Sequence, residues 1–305
     1  ISPGPSIPPM ESLLKFIPPD SLSIHNSLWL YHCGTMNFGT TNTFNQALEA
    51  RYGTSSSIRD FVAMAQAQNY EGHRAMMEAY GLNKYHTATG VDQWMLSNPW
   101  PSLIWHTYDY YLYPAGTYFG MKKSMEPLHV QYSYKSKEII INNSRLDPQT
   151  GLTVNATVYN PDGSRKYQHT VSTSVEADNI KRCFTIPEIA GLDSLYFLRL
   201  EMKDRHLKTI SLNWYWLSKN EDVLDWKKST WYYTPQTDFV HYQGLQHLPL
   251  TQVQVHYTTE KAKTQTTQHV RVTNTGKSVA FFVHLRLLKA KGGDDILPVI
   301  FDDNY

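Results

Sequence analysis

Trp94, Asn98 and Trp100 fall within one short stretch, Trp94-Met95-Leu96-Ser97-Asn98-Pro99-Trp100-Pro101-Ser102. Indole faces stack on the apolar C–H faces of sugar rings, and a primary amide can exchange hydrogen bonds with their hydroxyls. The competing use is packing, with both prolines shaping a turn and Trp100 closing the end of a barrel. A second aromatic run follows, Trp105-His106-Thr107-Tyr108-Asp109-Tyr110-Tyr111-Leu112-Tyr113. Asp109 there could accept from phenols or a ligand, although a structural role fits it better. Cleaving a glycosidic bond needs two carboxyl groups, about 5–5.5 Å apart for retention and wider for inversion. The carboxylates around this region are Glu11, Glu71, Asp92, Asp109 and Glu126. None falls clearly at the carboxyl end of a strand, so spacing alone nominates no catalytic pair. The chain has no phosphate loop, dinucleotide glycine fingerprint, His-Glu-x-x-His, Cys-x-x-Cys or Gly-x-Ser-x-Gly.

Local signals describe the elements that must hold these residues. A helix is predicted from Ile58 to Tyr80, opened by a capping box of Ser57 with Asp60 and closed by Gly81 in the left-handed conformation. Ile58, Phe61, Val62, Ala65, Met76 and Tyr80 mark its buried stripe, leaving Glu71, His73 and Arg74 at its edge or surface. Val91–Leu96 is short and apolar, as expected of a strand buried on both faces. A second helix is predicted over Thr117–Met125, stopped by Pro127. Helix, buried strand, loop and helix in succession indicate α/β architecture, where ligands bind beyond the carboxyl ends of the strands. The Trp94–Trp100 loop occupies such a position.

From Val130 the period becomes two. Val130, Tyr132 and Tyr134 alternate; so do Leu152, Val154, Ala156 and Val158 before the Pro161-Asp162-Gly163 turn. Tyr196, Leu198, Leu200 and Met202 form a further run, followed by Ile210, Leu212, Trp214 and Trp216. Residues 129–219 match the length of one immunoglobulin-like sandwich of about 100 residues. Residues 220–244 read as a linker or docking segment carrying Trp226 and Trp231-Tyr232-Tyr233. A new β unit is expected over 245–305, with runs at Val253–Tyr257, His269–Thr273 and Val279–Leu287, but it is too short for some seven strands. Residues 1–128 are likewise too few for an eight-stranded barrel of roughly 250 residues. The chain is therefore expected to be an incomplete piece of a larger protein.

Composition narrows the partners. A hydrophobic fraction of 41% and a charged fraction of 18% suit a globular protein, and a net charge of +1 argues against nucleic acid or anionic membrane. No stretch reaches the roughly 18 apolar residues of a membrane helix. The 21 tyrosines and 8 tryptophans suit a tyrosine-rich sandwich, with only clustered loop aromatics suggesting a ligand. Cys33 and Cys183 are too isolated for a metal motif, and their pairing stays open. Sequons at Asn142 and Asn155 are weak signs of secretion.

Three strings together carry a family resemblance. They are Pro3-Gly4-Pro5-Ser6-Ile7-Pro8-Pro9-Met10-Glu11-Ser12-Leu13, Ala65-Gln66-Ala67-Gln68-Asn69-Tyr70-Glu71-Gly72-His73-Arg74-Ala75 and Trp94–Ser102. They resemble glycoside hydrolase family 2, and within it the exo-β-D-glucosaminidases, which remove glucosamine from chitosan oligosaccharides. Glu126–Tyr132 and Val223-Leu224-Asp225-Trp226 fit the same group, so the likeness runs along nearly the whole chain. The related β-mannosidases share the pattern Trp-x-Leu-Asn-Asp-x-Trp-Pro, which here reads Trp94-Met95-Leu96-Ser97-Asn98-Pro99-Trp100-Pro101. The resemblance implies the final strands and helices of a TIM (β/α)8 barrel followed by immunoglobulin-like domains. Ile58–Tyr80 would be the seventh helix and Val91–Leu96 the eighth strand. It implies a retaining mechanism without a cofactor, with the nucleophilic Glu just before Ile1 and the acid/base further upstream. This chain alone is then expected to be inactive, and its partners are a carbohydrate substrate and the remaining amino-terminal part of the enzyme. Trp94, Asn98 and Trp100 would line the sugar pocket, and a polymeric substrate implies a secreted or extracytoplasmic location. The alternatives are a β-mannosidase of the same family and a non-catalytic carbohydrate-binding or interaction module.

Overall fold

The computed structural model describes residues 5–305. The Pro3-Gly4 opening of the first family string, and the position expected for a nucleophile before Ile1, lie outside the described residues. Short helices α1 (Met10–Leu13) and α2 (Ser27–Tyr31) precede α3 (Asn42–Tyr52), the long α4 (Ile58–Leu82) and α5 (Gly116–Ser124). Ser57 caps α4 as its sequence predicts, the hydroxyl accepting from the Asp60 amide at 3.2 Å. Its far end differs from expectation. Gly81 lies inside the helix, which is capped at Asn83 with φ −101°. The glycine serves close packing instead, since a Cβ there would meet Asn142 Nδ2 of the neighbouring sandwich at 2.6 Å.

The buried stripe of α4 is also broader than an amphipathic pattern suggests. Phe61, Val62 and Ala65 are buried, but Tyr80 is exposed, and Gln66, Gln68, Asn69, His73, Arg74 and Glu78 are buried in its place. The helix is covered on more than one side, so polar residues that find partners are enclosed along with apolar ones. Helix α5 presses on it through Gly116 and Gly120, where an added Cβ would come within 2.2 Å of the Gln66 and Tyr70 carbonyl oxygens respectively. Gly120→Ala should force the two helices apart and destabilise the chain by about 1–3 kcal/mol. Urea unfolding checks this; a variant as stable as wild type would show that the contact yields freely.

Val91–Leu96 forms no strand, which corrects the expectation of a buried one. A strand enclosed in a parallel sheet needs partners at its edges for its amides and carbonyls. Here residues 95 and 96 pair only with 105–108: Met95 N donates to Trp105 O (2.8 Å) and Tyr108 N to Leu96 O (2.8 Å). Trp94 and Leu96 are accordingly exposed.

The β region follows. Strands β1 (Leu128–Tyr132), β2 (Glu138–Asn143), β3 (Gln149–Tyr159), β4 (Arg165–Val175), β5 (Ile180–Thr185), β6 (Leu195–Lys203) and β7 (Thr209–Ser218) form two antiparallel sheets, ordered β1-β2-β5 and β4-β3-β6-β7. Their shared core holds Val130, Ile139 and Ile141 from one sheet and Val154, Ala156, Leu198, Leu200 and Met202 from the other. On β7 the expected facing is reversed. Ser211, Asn213, Tyr215 and Leu217 are buried, while Trp214 is 39% exposed. Trp216 instead joins the helical core, its ring edge-on to Phe281 at 5.1 Å. Polar Ser211 and Asn213 can point inward because buried charges there require hydrogen bonds.

A small pair, β8 (Val223–Leu224) with β9 (Gln236–Asp238), then docks beside the end of α3, where Arg51 bonds Asp222 (3.1 Å) and Gln236 (2.9 Å). Strands β10 (Val253–Lys261) and β11 (Thr266–Asn274) form a hairpin pairing Val253 with Asn274 through Lys261 with Thr266. The run Val279–Leu287, expected as a third strand, is irregular. Phe281 and Phe282 turn instead into the helical core, because Trp216 and Tyr70 offer aromatic faces there.

Candidate functional site

The Trp94–Trp100 loop is held from beneath by two histidines. His32, just past α2, places Nδ1 2.7 Å from Pro101 O and accepts from Leu103 N through its own carbonyl at 2.9 Å. Trp100 stacks on that imidazole, centroids 5.1 Å apart and planes at 27°, with Tyr31 edge-on at 5.6 Å. Asn98 is buried; its Nδ2 donates to Ile104 O at 2.9 Å and lies 3.1 Å from His106 Nδ1. Thr107 N closes the loop onto Met95 O and Leu96 O, at 3.1 and 3.0 Å. Trp94, at 68% exposed, and Trp100, at 38%, thus offer ring surface to solvent from a braced loop. The Asn98 amide nitrogen, by contrast, is spent inside the protein.

A second set of rings adjoins this loop. Phe38 meets Trp105 edge-on at 4.7 Å and contacts Tyr232 and Trp231 at 5.7 and 6.1 Å. A segment nearly two hundred positions further along therefore reaches the same face. Such exposed, mutually oriented aromatics can stack on apolar ring faces of a ligand. Among the described residues no group of three or more His, Cys, Asp or Glu converges as a metal site, and no helix is long and apolar enough to cross a membrane.

Comparison with known proteins places this geometry in a family. Residues 231–305 match the model of the exo-beta-D-glucosaminidase Ig-fold domain. Exo-beta-D-glucosaminidases of Streptomyces avermitilis and Hypocrea jecorina are 37% and 36% identical to the chain over 99% of its length. The crystal structure of an exo-chitosanase from Amycolatopsis orientalis superposes with a TM-score of 0.93 at 34% identity, again over 99% of the chain. Along nearly its whole length the chain is thus similar to exo-β-D-glucosaminidases, and its residues 231–305 carry the match to their Ig-fold domain. It spans about a third of those relatives, 35% of each curated sequence and 37% of the solved chain.

Most candidate carboxylates have other work. Asp109 is 1% exposed and caps a turn, its Oδ1 accepting from the Tyr111 and Tyr113 amides at 2.8 and 2.9 Å. Burial raises its pKa. Glu11 pairs with Arg286 at 3.0 Å, and Glu126 with His129 and Lys123. Burial also raises the pKa of Glu71 on α4, whereas Asp92 is exposed beside the loop. The structure therefore gathers Trp94, Asn98 and Trp100 on one loop and sends Glu11, Glu126 and Asp109 into other contacts. Cys33 and Cys183 are both free thiols, each pushed up to about 11 by burial.

Sequence reasoning missed His32, Phe38 and the bracing role of His106. Isolated residues in irregular segments have no periodicity to betray them. The run at Trp231-Tyr232-Tyr233 did carry a signal, since consecutive aromatics in a linker-like stretch need something to pack against.

Proposed function

We propose that the chain is part of a retaining exo-β-glycosidase that removes terminal β-linked glucosamine from chitosan oligosaccharides. The likeness to exo-β-D-glucosaminidases over 99% of the chain carries this reading, and the braced, exposed Trp94 and Trp100 support it. In this reading residues 1–128 correspond to the closing elements of a (β/α)8 barrel, α4 being its seventh helix. The Val91–Leu96 segment would enter the sheet once neighbouring strands supply its ladder. Trp94 and Trp100 form an apolar wall of the sugar pocket. Asn98 holds that wall in place and leaves its amide oxygen for a hydroxyl. The two carboxyl groups come from the part of the protein that this chain does not span. One attacks the anomeric carbon to give a glycosyl-enzyme; the other protonates the leaving oxygen, then activates water. No cofactor enters this chemistry. A polymeric substrate places the whole enzyme outside the cytoplasm.

The test joins the chain to its upstream reading frame. The complete protein should release glucosamine from chitosan oligosaccharides and be inactive on aryl β-mannosides. Trp94→Ala and Trp100→Ala should each lower kcat/KM about tenfold, the ~1.4 kcal/mol of one stacked aromatic. Preference for the mannoside would move the assignment to β-mannosidase, and activity on neither substrate would overturn it.

A further inference from the structure

Trp100 is the open end of a column of rings. It stacks on His32 with centroids 5.1 Å apart, and Phe16 lies 4.5 Å from the same imidazole, tilted by 60°. Tyr31 stands edge-on to both rings, 5.4 Å from His32 and 5.6 Å from Trp100. His32 also grips the turn that carries the indole. Pro101 O can only accept, so the His32 Nδ1 at 2.7 Å carries a proton and donates. The His32 carbonyl accepts in turn from the buried Leu103 amide at 2.9 Å. One residue thus holds this loop at Trp100, Pro101 and Leu103.

The grip is firm because α2 is anchored below it. Trp29 is buried, donates from Nε1 to Thr41 Oγ1 at 3.1 Å and meets Phe61 of α4 edge-on at 5.9 Å. Asn26 Oδ1 caps α2 by accepting from the Leu28 amide at 2.9 Å. His32 N closes the last turn onto Leu28 O at 3.2 Å. The imidazole is covered, at 9% exposed, while the indole above it keeps open surface. An aromatic wall already fixed in orientation loses little freedom when a sugar stacks on it, so binding keeps more of the contact energy. Without a ring beneath it, Trp100 would be free to sample other rotamers and that advantage would be lost.

We propose that His32 is a positioning residue for sugar binding: its imidazole face, steadied by the Nδ1–H bond to Pro101, fixes the plane of Trp100 on which a sugar ring stacks. His32 acts through Trp100 alone. This role rests on the functional reading of the loop as a sugar wall, whereas the bracing itself is measurable without a sugar.

In the complete protein, His32→Ala should lower kcat/KM on chitosan oligosaccharides about tenfold, matching the loss expected for Trp100→Ala. The loss should fall on KM, because a stacked wall is present before and during the reaction. In a Trp100→Ala background the same change should cost less than about twofold more, since the ring through which it acts is gone. His32→Asn keeps a donor near the Nδ1 position and loses the ring face; His32→Phe keeps the face and loses the donor. Activity should rank wild type above His32→Phe and His32→Phe above His32→Asn. Additive losses in the Trp100→Ala background, or full activity in His32→Asn, would overturn the proposal. Without sugar, the intact chain labelled with 5-fluorotryptophan gives a 19F line for Trp100, assigned by its loss in Trp100→Phe. That line should move in His32→Asn and stay near its wild-type position in His32→Phe. Wild type should also show a nuclear Overhauser contact between the two rings, which decides the bracing even where a variant fails to fold. An unmoved line in His32→Asn, or no Overhauser contact, would equally overturn the proposal. A complete protein without glycosidase activity would overturn the sugar reading, while the fluorine spectra still decide the brace.

Discussion

Arg74→Ala is expected to destabilise the folded chain by about 3–5 kcal/mol, the range for breaking a buried charged contact. Arg74 is 0% exposed where α4 meets the sandwich. Its Nη1 donates to Asn213 Oδ1 at 3.2 Å and to the Trp214 carbonyl, and its guanidinium lies 4.0 Å over the Tyr215 ring. Truncation leaves those acceptors unpaired in a low-dielectric interior, opens a cavity, and removes the positive charge near Glu78. Arg74→Met separates these effects, since it refills much of the volume without the charge. Urea denaturation followed by tryptophan fluorescence should rank wild type above Met and Met above Ala. A loss below about 1 kcal/mol for Arg74→Ala would mean that water or repacking replaces the guanidinium.

Stability should also fall as pH rises above neutrality, and His129 is the cause. Its Nε2 lies 3.0 Å from Glu78 Oε1 and its Nδ1 3.1 Å from Glu126 Oε2, with the ring fully buried. Carboxylates only accept, so both ring nitrogens must donate and the ring is an imidazolium. Burial opposes that charge, but the hydrogen bonds to Glu126 and Glu78 outweigh it and raise the pKa. A raised histidine pKa contributes stability fully below its unfolded value of 6.5 and loses it as pH climbs through the folded one. Glu126 runs the other way. Burial raises its pKa, but His129 and Lys123 outweigh burial and lower it, so its contribution is present above 4.5 and lost as pH falls through its folded value. The network should hold best between about 4.5 and 6.5, then weaken with rising pH. His129→Gln should flatten the alkaline limb of unfolding free energy against pH. Parallel curves for wild type and His129→Gln from pH 6 to 9 would rule the imidazolium out.

These residues show where sequence ceased to be informative. The capping of α4 by Ser57, the sandwich strands and the turn at Pro161-Asp162-Gly163 were legible, because each depends on neighbours a few positions apart. The polar positions of β7 were misjudged for the opposite reason. Ser211 bonds Glu126 and Asn213 bonds Glu78, partners 85 and 135 residues away, and no local pattern announces such a contact. The family strings identified the relatives because long residue identity is itself a local property.

The Trp94–Trp100 loop divides the same way. Sequence by itself determined that two tryptophans and an amide share one short, proline-bounded loop, since composition and spacing are covalent facts. Only the tertiary structure decided that the amide nitrogen is spent on Ile104 and His106, that Trp100 rests on His32, and that Trp94 stays exposed. Those outcomes depend on which distant groups arrive with an unfilled donor, acceptor or ring face, and that is settled only when the chain packs.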